Sequence, residues 1–126
     1  MKGYVDGYVL PLPTRNLALY KKMAALAGRI WMKHDALKYV ECISDDLKSA
    51  EKWGGVSFAK LAKAARNDKV VFAFVMYKSK AHRDKVNAKV MKDPIMTDPK
   101  NKDKPMPFEM KRMAYAGFST IVDYES

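Results

Sequence analysis

Between Tyr4 and Leu12 the apolar positions crowd without a helical period. Val5, Tyr8, Val9 and Leu10 are the aromatic, β-branched and aliphatic residues that favour a strand. Pro11 and Pro13 close the run, and Thr14 or Asn16 offers a short side-chain oxygen to cap a helix. Leu17, Tyr20, Met23, Ala24, Ala27, Ile30 and Trp31 then recur at spacings of three and four. That is an amphipathic helix of about five turns, fraying near His34-Asp35. A second strand is predicted over Leu37–Ile43. A polar stretch to about Ser57 comes next, containing Gly54-Gly55, and reads as a loop or a protruding strand extension. Phe58–Ala65 reads as a short helical turn and Asn67-Asp68 as a turn. Val70–Tyr77 is apolar at nearly every position, the pattern of a strand buried from two sides. Ser79 caps a second helix over Lys80–Lys92, with Ala81 or His82, Val86, Val90 and Met91 inward, and Pro94 stops it. Residues 93–107 hold four prolines and read as a surface loop with room for one helical turn. The last strand is predicted over Lys111–Asp123.

Strand, helix, strand, strand, helix, strand is the split βαβ, or ferredoxin-like, order. It predicts an α+β fold in one domain, residues 1–126: a four-stranded antiparallel sheet with two helices on one face. Strands apolar on both sides then need a cover for the bare face. A second copy is the economical one, giving a homodimer whose two sheets close into a shared α+β barrel.

Composition changes this picture little. The 126 residues carry 24 Lys+Arg against 14 Asp+Glu, a formal charge of +10. Nineteen of the basic residues are lysines, scattered along the chain, and the densest group, Lys100, Lys102 and Lys104, alternates with Asp98 and Asp103. Arginine supplies the planar fork that grips phosphate, lysine only a hydrated point charge. The pattern therefore reads as a solvated exterior, and nucleic acid is not the expected partner. Cys42 is the one cysteine, which excludes an intrachain disulfide; within Tyr39–Ile43 it reads as a buried thiol. Met1-Lys2 leads into no signal-like stretch, and no run reaches the roughly 18 apolar residues of a membrane span. A cytoplasmic location is the expectation.

Candidate chemistry begins with acids in apolar strands. If Val5 and Val9 pack on the helices, Asp6 and Tyr8 face the barrel side, and the same parity places Glu41 there. Carboxylates in such surroundings need partners or protons. Arg112 is the candidate partner, with Lys38 and Lys111 as alternatives. One reading is a structural ion pair at a dimer seam. The sharper one is a pocket with a perturbed carboxylate, lined by Tyr8, Tyr77 and Tyr115. His34 reads as a helix C-terminal cap; His82 bonds back toward its own cap or packs under the sheet edge. No third ligand joins the histidines at metal spacing, and no phosphate loop, nucleophile elbow or CxxC occurs. No motif calls for a metal or a cofactor. Trp53, beside Gly54-Gly55, reads as a contact for a partner or for a second copy.

Tyr4-Val5-Asp6-Gly7-Tyr8-Val9, Tyr39-Val40-Glu41-Cys42, Val70-Val71-Phe72, Tyr77 through Asp84, Val86 through Met91, Met106 through Glu109 and Lys111-Arg112-Met113, with Tyr115, Gly117 and Phe118, succeed one another along nearly the whole chain. In these stretches the sequence resembles the YbaA-like family of uncharacterised bacterial proteins, domain-of-unknown-function family 1428. The resemblance implies the dimeric α+β barrel fold, shared with small monooxygenases and other pocket-bearing dimers, and no settled activity. Asp6, Glu41, His82, Asn87 and Arg112 belong to the shared pattern. The sequence departs from it in a longer loop around Lys52–Val56, in Met110 where glycine is common, and in Ala116.

Two functions are expected from these readings. One is a homodimeric small-molecule-binding or monooxygenase-like barrel using Asp6, Tyr8, Glu41, Tyr77, His82, Asn87, Arg112 and Tyr115. The other is a non-enzymatic binding or structural dimer whose basic surface meets nucleic acid or protein.

Overall fold

Strand β1 (Tyr4–Pro13) runs through the middle of the sheet and takes hydrogen-bonding partners on both sides. The computed structural model describes residues 3–102 and 104–126, leaving Asp103 of the lysine-rich group, and Met1-Lys2 at the start, outside the described residues. After β1 come helix α1 (Leu17–Lys33), β2 (Lys38–Ile43), two single-turn helices, α2 (Ser49–Lys52) and α3 (Phe58–Leu61), and β3 (Asp68–Tyr77). Helix α4 (Lys80–Met91), two further turns, α5 (Pro94–Thr97) and α6 (Pro99–Lys102), and β4 (Ala114–Ser119) complete the chain. The sheet has four antiparallel strands in the order β2-β3-β1-β4.

Local signals explain the starts of α3, α4 and α5; α1 begins without the expected cap, since the Thr14 hydroxyl donates to the Asn67 carbonyl and the Asn16 amide to that of Pro107. Ser79 is extended and its hydroxyl accepts from the His82 backbone N–H, capping α4; Ser57 caps α3 in the same way through Lys60. Asp93 caps α5 with Pro94 in its first turn, where a missing N–H costs nothing. The stretch after β2 is not an extended protrusion: it winds into α2, because Asp46 accepts from the backbone N–H groups of Lys48 and Ser49 and starts a turn. Residues 93–107 hold two helical turns rather than one. The last strand is shorter than Lys111–Asp123, since Met110–Arg112 form a 3-10 turn and β4 has only β1 to pair with.

One face of the sheet carries the core. Leu10, Leu12, Val71 and Ala73 pack with Tyr20 and Ala24 of α1 and with Phe108. Val75 and Tyr77 pack with Ile30 of α1, Ala36 and Val86 and Val90 of α4. Met91, expected inward, is exposed. Parity along β1 then corrects the expected facing. Tyr4, Asp6 and Tyr8 share the side of Leu10 and Leu12, toward the helices, and Val5 and Val9 point to the opposite side. The physical reason is that the long aliphatic pair at the end of β1 fills the helix layer, and Asp6 follows it in register because α4 brings a cation over it.

The opposite face lies open. By register it presents Val5, Val9, Val40, Phe72, Phe74, Met76 and Phe118. Phe72 is 41% exposed and Phe118 57%. Phe58 of α3 reaches over one edge, with its ring 6.0 Å from that of Phe72. Cys42 is exposed on this face, not buried, because β2 is an edge strand with a neighbour on one side only.

Candidate functional site

Two adjacent rungs of the sheet place the polar residues under the helices. The first is Tyr39, Val75, Asp6 and Gly117; the second is Glu41, Ala73, Tyr8 and Tyr115. Asp6 and Glu41 therefore stand two strands apart, roughly 10 Å laterally, on the helix-facing side.

Asp6 is fully buried. Its Oδ1 accepts from Arg83 Nη1 at 2.8 Å, and Oδ2 has no hydrogen-bond partner among the described residues. The same Arg83 nitrogen donates to the Tyr115 hydroxyl at 2.7 Å, and Arg83 Nε donates to Asp84 at 2.8 Å. The guanidinium lies 5.0 Å from the centre of the Tyr4 ring, a cation over an aromatic face. Tyr4 reaches there across Gly117: a Cβ at that glycine would stand 2.8 Å from Tyr4 Cζ and run into the hydroxyl. Burial pushes the Asp6 carboxyl above its usual 3.8; the Arg83 charge, the Tyr115 hydroxyl and the Asn87 amide pull it down without cancelling that rise. Burial lowers the Arg83 pKa, but its bond to Asp84 and the charge of Asp6 raise it further, so it stays a cation.

Behind this pair, Trp31 Nε1 donates to the Tyr77 hydroxyl at 3.1 Å and to Asn87 Oδ1 at 3.3 Å. Tyr77 is buried, and desolvation together with the Asp6 charge holds its phenol neutral. The Tyr8 ring stacks at 5.0 Å on Tyr115 and is likewise held protonated, chiefly by burial.

Glu41 has other company. Tyr20 of α1 donates to Oε1 at 2.5 Å and Tyr39 donates to Oε2 at 2.6 Å. Burial first, and then the bond to Glu41, keep both phenols from ionising. Beside this clamp a cavity of 140 Å³ opens between the sheet and α1, walled by Tyr8, Tyr20, Trp31, Tyr39 and Glu41 among others. Ala73 on the sheet and Ala27 on α1 also line it, and their short side chains leave the space. A 320 Å³ groove outside, along α1 and β2, shares Tyr20, Tyr39 and Glu41 with it.

Of the eight candidates, Asp6, Tyr8, Tyr77, Asn87 and Tyr115 come together, and Glu41 faces the cavity from the next strands. His82 and Arg112 do not join them. His82 Nδ1 accepts from the Lys78 backbone N–H at 2.9 Å, and its ring meets Tyr77 edge-on at 5.9 Å. The Arg112 guanidinium donates to the Lys63 carbonyl, so it is no partner for Glu41. It lies in the turn before β4 and is held by the segment before β3. The partner of the buried acid is instead Arg83, which sequence reasoning passes over. A signal for it exists: Arg83 lies on the same α4 stripe as Val86, Asn87 and Val90, and a cation on a buried stripe requires an acid. Trp31 and Tyr20 likewise read as the apolar stripe of a helix in the sequence and act as donors in the fold; Tyr39, on β2, donates as well.

A third buried acid, Asp93, ties α1 to α5. Its Oδ2 meets His34 Nε2 at 2.7 Å and Lys33 Nζ at 3.0 Å, while Oδ1 accepts from the Ile95 N–H. The His34 bond, then the Ile95 N–H and the Lys33 ammonium, hold its pKa down to about 2. Among the described residues no group of three His, Cys, Asp or Glu is placed to hold a metal, and no helix is long and apolar enough to cross a membrane.

This chain belongs to the family described as "Protein of unknown function (DUF1428)", whose model matches residues 3–110. It is 39% identical over 120 residues to the uncharacterised protein YbaA of Escherichia coli strain K12, covering 95% of this chain and 97% of that one. The same identity and coverage hold for the uncharacterised YbaA proteins of Escherichia coli O157:H7 and Shigella flexneri. The family match includes Asp6, Glu41, Arg83 and Asn87, and it stops before β4 and Tyr115.

Proposed function

We propose that this chain is a cytoplasmic, homodimeric small-molecule-binding protein, one domain over residues 1–126 with ferredoxin-like architecture. The observation that carries the binding role is the 140 Å³ cavity between sheet and α1, with a carboxylate and five aromatic side chains in its wall. Ligand sites are typically concave, mostly apolar and equipped with a few convergent polar groups. The strand order β2-β3-β1-β4 with all neighbours antiparallel supports the ferredoxin-like reading. The open face bearing Phe72, Phe74, Met76 and Phe118 supports dimerisation, since a sheet paired through it buries these rings against their own copies. The cavity lies on the other face and stays accessible in such a dimer.

Native mass spectrometry of protein purified from its own host tests the binding role. A bound small molecule that is released on denaturation, and that is absent from an Ala27→Leu variant whose side chain fills the cavity, is the expected result. Equal retention in the filled variant would refute the cavity as the site.

A further inference from the structure

The cavity has a carboxyl side chain in its wall that has no ion-pair partner among the described residues. Asp6 has Arg83, and Asp93 has Lys33 and His34. Glu41 has two neutral hydroxyls, and among the described residues no ion pair reaches it. Lys21 lines the outer groove but forms no ion pair with it. Each carboxylate oxygen has about two acceptor positions, so one hydroxyl apiece leaves further capacity. The rings of Tyr8, Tyr39 and Trp31 line the same space, and aromatic faces attract cations in desolvated sites. The 140 Å³ volume is close to the roughly 150 Å³ that accepts benzene in a dry apolar cavity. The outer groove, which shares Glu41, has room for a substituent.

We propose that this cavity binds a small organic ammonium ion: an apolar body about the size of one six-membered ring, carrying a protonated amine that donates to Glu41. The proposal rests on the small-molecule-binding reading above and names its ligand class. The competing account makes the Tyr20–Glu41–Tyr39 clamp purely structural, a tether between α1 and β2 that is indifferent to the charge of any occupant.

Three probes of one size and different charge separate these accounts at pH 7: benzylammonium, benzyl alcohol and benzoate. Emission of Trp31, in the full chain carrying Trp53→Phe, reports their binding; Trp53 is 87% exposed, so its replacement removes background and little else. Benzylammonium is expected to bind about tenfold more tightly than benzyl alcohol, the gain of a charge-assisted over a neutral hydrogen bond. Benzoate is expected not to compete. In Glu41→Gln the preference is expected to shrink to within about twofold while benzyl alcohol still binds. Should that variant fail to fold, the ranking of the three probes and the loss of all binding in Ala27→Leu carry the test. Equal affinity for benzylammonium and benzyl alcohol, both lost in Ala27→Leu, would overturn the ammonium class and leave the cavity reading in place. Binding of none of the three would overturn both.

Discussion

Replacing Arg83 with methionine removes the cation and keeps most of the stem, and the cost is bounded by what Asp6 does next. Its side chain has no solvent access, so the ion left behind loses its compensation. Breaking a buried pair from one side costs about 3–5 kcal/mol. The carboxyl has an escape, because it can take a proton. From a usual value of 3.8, doing so at pH 7 costs about 1.4 kcal/mol per pH unit, or about 4 kcal/mol. At pH 5 the same escape costs only about 1.6 kcal/mol. Arg83→Met should therefore lose about 3–4 kcal/mol at pH 7 and about half of that at pH 5. Asp6→Asn in the same chain should recover most of the loss at pH 7, since no charge then remains to be buried. Urea unfolding at fixed protein concentration, followed by circular dichroism for the four chains of the cycle at both pH values, measures it. A loss below about 1 kcal/mol at pH 7, or one equal at the two pH values, would refute the claim that an unscreened Asp6 charge is the penalty.

Other predictions are independent of that cycle. Asp93 has a folded pKa near 2, so its contribution is full above the unfolded value of about 3.9 and fades as pH falls through about 2. Asp93→Asn should be less stable than the parent at pH 6, and the two melting curves should converge near pH 2. Asp6 has the opposite sign: its folded pKa is raised, so its contribution improves as pH falls into the window just above 3.8, and Asp6→Asn should gain on the parent as pH rises out of it. Gly117→Ala puts a methyl where the Tyr4 ring passes, and should cost about 1–3 kcal/mol in thermal melts; a neutral effect would show that Tyr4 has another resting place. Phe72→Asp on the open face should give a monomer by light scattering, and it should raise the rate at which a thiol reagent labels Cys42. A dimer that survives with unchanged labelling would remove that face from the interface.

The sequence carries the order of the elements well, because Ser79, Pro94 and the three-four spacing of α1 are local signals. The side of the sheet that meets the helices is not local. Asp6 alternates with Val5 on a strand whose two faces are both apolar, so parity alone leaves two answers, and taking valine as the core residue inverts the site. Leu10 and Leu12, at the same parity as Asp6, hold the deciding information. Asp6 and Glu41 are legible as unusual from their surroundings. Their partners are not, because Arg83 and Tyr20 lie on helices that reach the sheet only through tertiary packing.

Strand β1 is translated first, yet both its neighbours arrive late: Tyr4 pairs with Tyr77 on one side and with Ser119 on the other. At about 5–20 residues per second, the central strand waits several seconds on the ribosome for β3, and longer again for β4. Until then its two edges of backbone donors and acceptors are unpaired and adhesive. The first strand of the sheet to be made is thus the last to be flanked on both sides. For this architecture the hazardous interval falls during synthesis, while both edges of β1 stand unpaired.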